Sequence, residues 1–209
     1  HLAAELRFHL AQHVHDLVRG VLGEPVSESP PRLAARLDAQ GYHLRITRDL
    51  DTAKAYLRVR YGDDPGARFG IVASSRDRSL ARFGVRNDYQ ATKQVRYGPW
   101  FGEGDDDPFG RSCRAMLDCV TEFGCQGLEL DAVLLAWGTD LIRERAAWTN
   151  RHARQYQRPR AVRNPLQLRL NAYRVLMTRG RDATVVFVPP LPALDETYTY
   201  LCDAGFREL

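Results

Sequence analysis

The chain has 209 residues, 44% of them hydrophobic, which is enough for one sizeable α/β domain with its own core. The formal net charge is only +4 and by itself points to no class of partner, and the four cysteines form no Cys-x-x-Cys pair, which argues against a zinc ribbon or a thioredoxin-type site. Neither an apolar run long enough for a membrane span nor a signal-peptide pattern occurs. We expect a cytoplasmic domain with no membrane partner and with reduced thiols.

Hydrophobic periodicity and turn residues predict alternating helices and strands. The predicted helices cover residues 2–21, 32–39, 50–61, 163–178 and 194–204. The predicted strands cover residues 43–47, 68–73, 116–121, 132–137 and 184–188. The first two strands flank a helix, and a strand–helix–strand unit requires parallel pairing. The sequence therefore predicts an α/β fold in which a mainly parallel sheet is flanked by helices on both faces.

The segment 74–110 has a different composition from the rest of the chain. It is rich in Gly, Asp, Arg and aromatic residues, and it shows no clear helical or strand period. We interpret it as a long functional or mobile loop inserted in the domain. Its acidic run, residues 105–107, is more typical of a solvated turn before a proline than of a Mg²⁺ site.

Residues 121–131 form a glycine-containing connection that runs directly into an apolar strand. A strand ends at Thr121, and a tight loop then carries Gly124 and Gly127. Such a loop exposes backbone N–H groups and a hydroxyl, which hold a phosphate without reading base sequence. For this loop taken alone, an ordinary strand–turn–strand with polar capping residues is an equally good interpretation.

A second informative stretch, residues 171–181, places arginines where a helix ends and another apolar strand begins. A planar, permanently charged guanidinium stabilises the charge that spreads over γ-phosphate oxygens during phosphoryl transfer. Arg179 is the first candidate for that role and Arg181 the second. Arg181 could equally meet the last carbonyls of the helix, and two solvated helix-end charges are the simplest alternative.

Together the two stretches resemble motifs V and VI of superfamily 1 helicases, the nucleic-acid-dependent NTPases built from two RecA-like domains. The match is strongest to the bacterial helicase family filed as the domain of unknown function DUF2075, related to the helicase part of Schlafen-type proteins. Thr178-Arg179-Gly180 resembles the Thr-Arg-Ala core of motif VI, with Gly180 in place of Ala. The resemblance implies that residues 1–209 are the second, C-terminal RecA-like domain of a longer helicase, whose first RecA-like domain is a partner.

The resemblance also assigns residues to the nucleotide. Arg179 is the arginine that meets the γ-phosphate in catalysis. Arg7 lies in a stretch similar to the end of motif IV and has the same implied role, although an arginine on a helix is as often a surface residue. Gly127, Glu129 and Arg181 are placed toward the nucleotide, with Glu129 accepting a hydrogen bond from a ribose hydroxyl.

Three other residues are assigned to nucleic acid by the resemblance, namely Thr121, Ser75 and Arg76. The implied partner is DNA or RNA, single-stranded in either case. Several aromatic residues near arginines could stack on unpaired bases, but half-buried packing is the commoner use of such residues. They are Trp100, Phe101, Trp148 and Tyr156.

The chain lacks the elements that grip ATP. A P-loop needs Gly-x-x-x-x-Gly-Lys followed by Ser or Thr, and neither Lys54 nor Lys93 has that context. No acidic Mg²⁺ motif follows an apolar strand, and His9 and His13 lack a carboxylate partner, so no metal ligand is assigned. The resemblance implies ATP and Mg²⁺ as cofactors of the full-length protein. Because the P-loop and the Mg²⁺ motif are absent here, this chain alone is expected to bind neither tightly and to be inactive. A non-catalytic nucleic-acid-binding or protein-interaction module with the same fold is the rival interpretation.

One geometric expectation follows from the predicted sheet. Open α/β sheets bind ligands outside the carboxyl ends of their strands. We therefore expect Gly127 and Arg179 to lie at the same edge of the sheet, at the carboxyl ends of strands or in the adjoining loops.

Overall fold

The computed structural model describes residues 2–156 and 162–209, with side chains from His9 onward. The strands are β1 (His43–Thr47), β2 (Phe69–Ala73), β3 (Cys119–Thr121), β4 (Leu130–Ala136), β5 (Ile142–Glu144), β6 (Ala147–Thr149), β7 (Gly180–Phe187) and β8 (Arg207–Glu208). The α-helices are α1 (Leu2–Val21), α2 (Pro30–Ala39), α3 (Leu50–Tyr61), α4 (Tyr89–Thr92), α5 (Tyr97–Gly102), α6 (Pro165–Met177) and α7 (Asp195–Asp203). Six strands form one parallel sheet in the order β3-β2-β4-β7-β1-β8.

Side-chain caps set the start of two helices that flank the sheet. The Asp49 carboxylate accepts the backbone N–H of Thr52 at 2.6 Å before α3. The Asn164 side chain accepts the backbone N–H of Gln167 at 3.0 Å before α6, whose first residue is a proline. Each cap satisfies a backbone donor that the helix itself leaves unpaired, so α3 begins at its predicted residue 50, whereas α6 begins at Pro165, two residues after the predicted start at 163.

The strands bury both of their faces. In β4, Ala132, Leu134 and Ala136 pack in the cluster that contains Leu57 of α3. The alternate residues Val133 and Leu135 pack in the second cluster, which includes residues of α1, α2, α6 and α7. Helices therefore cover the parallel sheet on both sides, and the predicted fold class, an α/β fold with a mainly parallel sheet flanked by helices, is confirmed.

Two small elements were not predicted. The strands β5 and β6 pair antiparallel through a turn in which Arg145 and Ala146 both have positive φ, 50° and 62°. Turns of this kind normally carry Asn or Gly, so the sequence gives no turn signal there. The other missed element, β8, has only two residues. The strand predicted from residue 116 begins at Cys119, because Met116 has the left-handed φ of 51°.

The segment 74–110 is more ordered than a loop. It contains a 3₁₀ turn at Leu80–Phe83 and the short helices α4 and α5. Trp100 is 1% exposed and lies against Gly70 of β2, where a Cβ would come within 2.8 Å of the indole. The segment thus packs on the sheet, and its status as an insertion in the domain stays a prediction. No helix in the described part of the chain is long and apolar enough to cross a membrane.

Candidate nucleotide and nucleic-acid sites

Gly127 and Arg179 lie at the same edge of the sheet, as predicted, but it is the amino edge. The backbone N–H of Leu130 donates to the carbonyl of Arg179 at 2.9 Å, which joins the starts of the neighbouring strands β4 and β7. Gly127 has a φ of +78°, a conformation that favours glycine, in the turn that enters β4. The expectation of carboxyl ends was wrong because both motifs precede their strands, and parallel strands all begin at one edge.

A cavity of about 540 Å³ opens at this amino edge. It is lined by Leu10, Ala11, Val14 and His15 of α1, by Glu129, and by residues 178–182. Arg7 belongs to α1, but its side chain lies outside the described residues. Positions 7, 10, 11, 14 and 15 follow the i, i+3, i+4, i+7, i+8 spacing of one helix face, so position 7 continues the face that lines the cavity.

The two candidate arginines at this edge make different contacts. Arg179 donates from Nε to the carbonyl of Val175 at 3.0 Å and from Nη1 to the carbonyl of Leu128 at 3.4 Å. Arg179 therefore caps the C-terminal end of α6. The sequence had suggested this role as an alternative for Arg181. Arg181 instead forms an ion pair with Asp131 and remains about half exposed. Both guanidinium groups and the exposed Glu129 line the same cavity.

The three residues assigned to nucleic acid lie at the opposite, carboxyl edge. Thr121 ends β3 level with Ala73 of β2, and it is only 6% exposed. Ser75 donates its N–H and its hydroxyl to the Glu122 carboxylate at 2.9 and 2.8 Å. Arg76 stacks its guanidinium 4.2 Å from the centroid of the Tyr156 ring. In this conformation all three are engaged within the protein, so their contacts with nucleic acid stay predictions.

A buried polar network holds the carboxyl edge together. Arg169 of α6 forms ion pairs with Glu122 at 3.2 Å and with Asp140 at 3.6 Å, and it donates to the Ser74 hydroxyl at 2.8 Å. The Tyr173 hydroxyl donates to Asp140 at 2.8 Å. These polar groups follow β2, β3 and β4, and one helix ties all three loops together.

One carboxylate in this network has a strongly shifted pKa. Burial raises the pKa of Asp140 to about 6, and the nearby charge of Asp77 acts in the same direction. Hydrogen bonds from Ser74 and Tyr173 and the charge of Arg169 lower this pKa but do not offset burial. Asp140 is therefore the group in the network whose charge changes just below neutral pH.

Asp77 organises the loop that follows β2. It is fully buried, and its carboxylate accepts the backbone N–H groups of Ser79, Leu80 and Thr139, each at 2.7 Å. A Cβ at Gly138 would lie 2.4 Å from the Asp77 side chain, so only glycine allows this approach. The loops after β2 and β4 are consequently fixed to each other.

Two elements connect the edges. The loop from Glu122 to Glu129 leaves β3 at the carboxyl edge and returns to the amino edge, where β4 begins. Helix α6 runs alongside, with Arg169 and Tyr173 in the buried network and Arg179 just beyond its end. Thirteen helical residues span about 20 Å. Packed, hydrogen-bonded structure therefore connects the two edges.

The aromatic residues singled out in the sequence do not face solvent freely. Trp100 is buried, and Trp148 stacks on Trp137 with ring centroids 5.5 Å apart. At the carboxyl edge the exposed aromatic residue is Phe123, 65% exposed in a turn whose neighbours are buried. Tyr97, 46% exposed, packs its ring against Gly124 of the same turn.

Residues 1–190 match the family model of the Schlafen group 3 DNA/RNA helicase domain. The chain belongs to this family. Among solved structures, it is similar to the C-terminal domain of a possible DNA helicase from Lactobacillus plantarum WCFS1, with 14% identity, a TM-score of 0.38, and coverage of 91% of this chain and 93% of that one. No curated protein matches the chain.

In this Schlafen group 3 helicase domain, two carboxylates of the acidic turn form ion pairs with arginines. Asp105 pairs with Arg114 at 2.6 Å, and Asp107 pairs with Arg111 at 2.8 Å. The hydrogen bond from Arg111 is the main cause that lowers the pKa of Asp107 to about 2. Within residues 2–156 and 162–209, no group of three or more His, Cys, Asp and Glu residues is placed to hold a metal ion.

The sequence did not single out the residues of the buried network in this helicase domain. Glu122, Asp140 and Arg169 were passed over, although Ser74, Glu122 and Asp140 each lie at or shortly after the end of a predicted strand. That position was the available signal, because the loops after parallel strands meet at one edge. Arg169 gave no signal, since its partners lie 29 or more positions away.

Proposed function

We propose that this chain is the second RecA-like half of an ATP-dependent DNA or RNA helicase or translocase. Its amino edge completes a nucleotide site, and its carboxyl edge forms part of the track for a nucleic-acid strand. The observation that carries the proposal is the amino-edge cavity, which brings Arg179, Arg181 and Glu129 together with the α1 face on which Arg7 lies. Family membership and the order of the two motifs along the chain support it.

The chemistry of this cavity suits the outer part of a nucleoside triphosphate. Two guanidinium groups supply positive charge for γ-phosphate oxygens, and the exposed Glu129 supplies an acceptor for a ribose hydroxyl. Arg179 donates only to neutral acceptors, the carbonyls of Val175 and Leu128 and the Thr178 hydroxyl, so no carboxylate competes with a phosphate for its guanidinium. The proposal assigns the phosphate-gripping P-loop and the Mg²⁺ ligands to a first RecA-like domain.

The connections between the edges supply the coupling that a translocase requires. Strand binding at the carboxyl edge acts on the loops fastened by Glu122 and Arg169. The loop 122–129 and helix α6 then carry that change to Glu129 and Arg179. In this account, a bound strand accelerates ATP hydrolysis because it favours the position of Arg179 that reaches the transition state.

The test is ATP turnover by a protein that contains this domain together with its P-loop domain. Arg179→Ala should lower the nucleic-acid-stimulated kcat by about 10³ or more while leaving ATP binding nearly unchanged, because an arginine finger meets charge that develops in the transition state. Arg179→Lys should restore little, since an ammonium does not reproduce the planar fork.

Arg32→Ala is the matched control, because Arg32 is an exposed arginine on α2, away from both edges. It should leave turnover at the parent value. If Arg179→Ala also leaves turnover near the parent value, Arg179 is only a helix cap. The non-catalytic module then becomes the better description of the chain.

A further inference from the structure

A second open space lies at the carboxyl edge, outside the ends of three neighbouring strands. This groove has a volume of about 510 Å³. One wall comes from Arg78, Ser79 and Arg82, which follow β2. The floor includes Thr139, just after β4, and the far wall is Leu191–Ala193, after β7. The remaining lining comes from residues 151–153 and 155.

The groove is positively charged, because arginines line it and no described acidic residue of the lining neutralises them. Arg78 and Arg82 are exposed, and their side chains have no hydrogen-bond or ion-pair partner in the described part of the chain. Among the described residues that line the groove there is no Asp or Glu. Asp77, the adjacent acid in the sequence, is fully buried and bonded to backbone N–H groups.

The other cation of the groove is partly neutralised. Arg151 forms an ion pair with Glu144 at 2.5 Å and donates to the His152 ring at 3.0 Å. The wall at Leu191–Ala193 carries no charge. Two unpaired guanidinium groups on a fixed turn are therefore the dominant feature, and the Asp77 hydrogen bonds hold that turn in place.

We propose that this groove binds the sugar–phosphate backbone of a single nucleic-acid strand, with Arg78 and Arg82 each contacting a phosphate. The proposal rests on the proposed function and adds a binding site to it. A polyanion matches unpaired arginines beside an uncharged wall, and Arg76 donates to the carbonyl of Gln155, which lines the groove. Backbone contacts of this kind fix the position of the strand and carry no base sequence.

The test is the salt dependence of binding between the chain and a fluorescent oligothymidylate, measured by anisotropy. Each phosphate contact on a single strand contributes about 0.7 to the slope of log K against log salt. Arg78→Ala/Arg82→Ala should lower that slope by about 1.4, which corresponds to roughly 25-fold weaker binding near 0.1 M salt. Arg78→Lys/Arg82→Lys should keep most of the slope, because counterion release depends on charge.

The control is Arg32→Ala/Arg207→Ala, which removes the same number of charges from exposed positions away from the groove. It should leave the slope unchanged. Thermal unfolding should show that Arg78→Ala/Arg82→Ala folds, since Arg78 and Arg82 make no side-chain bonds in the described structure, and that the control folds after losing only the exposed Arg207–Asp38 ion pair. An unchanged slope in Arg78→Ala/Arg82→Ala, with clear binding by the parent chain, would overturn the groove and leave the proposed function standing. No strand binding by the parent chain at low salt would overturn both.

Discussion

The two edges of the sheet use arginine in opposite ways. At the amino edge, Arg179 and Arg181 line an open cavity; Arg179 donates only to neutral acceptors, and Arg181 is half exposed beside Asp131. At the carboxyl edge, Arg169 is buried between two carboxylates, while Arg78 and Arg82 at the same edge are unpaired within the described structure. The difference teaches that the charge of an arginine does not reveal its role. Its partners do, because a saturated guanidinium supports the fold and an unsaturated one is available to a ligand.

The largest effect on stability should come from Arg169→Ala. It leaves Glu122 and Asp140 buried without their cation, which typically costs about 3–5 kcal/mol. Arg179→Ala, just beyond the other end of the same helix, should cost about 1 kcal/mol, since it loses only hydrogen bonds to neutral acceptors, two carbonyls and the Thr178 hydroxyl. Urea unfolding of both variants measures the contrast. Equal costs would show that the two edges do not differ as described.

One pH effect should arise at the carboxyl edge. The pKa of Asp140 rises from 3.8 to about 6 in the folded protein, so the folded state binds more protons than the unfolded state between these values. Stability should therefore fall as pH rises from 4 to 7, by up to about 3 kcal/mol from this group. Unfolding free energies of the parent and Asp140→Asn across this range isolate the contribution. Parallel pH profiles for the two proteins would show that Asp140 titrates normally.

The smallest effect concerns the exposed ring at the carboxyl edge. Phe123→Ala should weaken binding to a single strand by about 1–3 kcal/mol, the usual contribution of one stacked base. Binding to an abasic strand of the same length should not change, because that strand has nothing to stack. Phe109→Ala is the control, since Phe109 is exposed but packs beside Arg111. An equal loss on both strands would mean that Phe123 does not stack on bases.

The sequence predicted the sheet better than the sites. Apolar runs such as 132–137 and the periodic helix 50–61 are local signals, and the structure has a strand and a helix there. The ribbon β5–β6 was missed because its turn residues, Arg145 and Ala146, are unusual at positive φ. The prediction that Gly127 and Arg179 lie at the same edge of the sheet is confirmed. The prediction that this is the carboxyl edge was wrong, because a general rule for ligand sites was applied to residues that precede their strands.

The part of Arg169 in the buried network and the groove could not be predicted from the sequence, for a physical reason. Arg169 meets Ser74 across 95 positions, and nothing near either residue in the sequence indicates that contact. Likewise, Arg78 and Arg82 look like any solvated arginines until the fold shows that no acid lines their groove. Long-range pairing decides which charges are saturated, and a single sequence does not contain that information in readable form.

The most direct test of the account uses the protein that joins this domain to its P-loop domain. Strand binding and ATP turnover are both measured for variants at the amino edge and at the carboxyl edge. Strand affinity and strand-saturated ATP turnover are determined for Arg179→Ala and for Arg78→Ala/Arg82→Ala. The account predicts that Arg179→Ala loses about 10³ or more in turnover and keeps strand affinity, whereas the double variant loses roughly 25-fold in affinity and keeps turnover at saturating strand. If each change lowers both activities to the same extent, or if neither change lowers either activity, the division of labour between the two edges is contradicted.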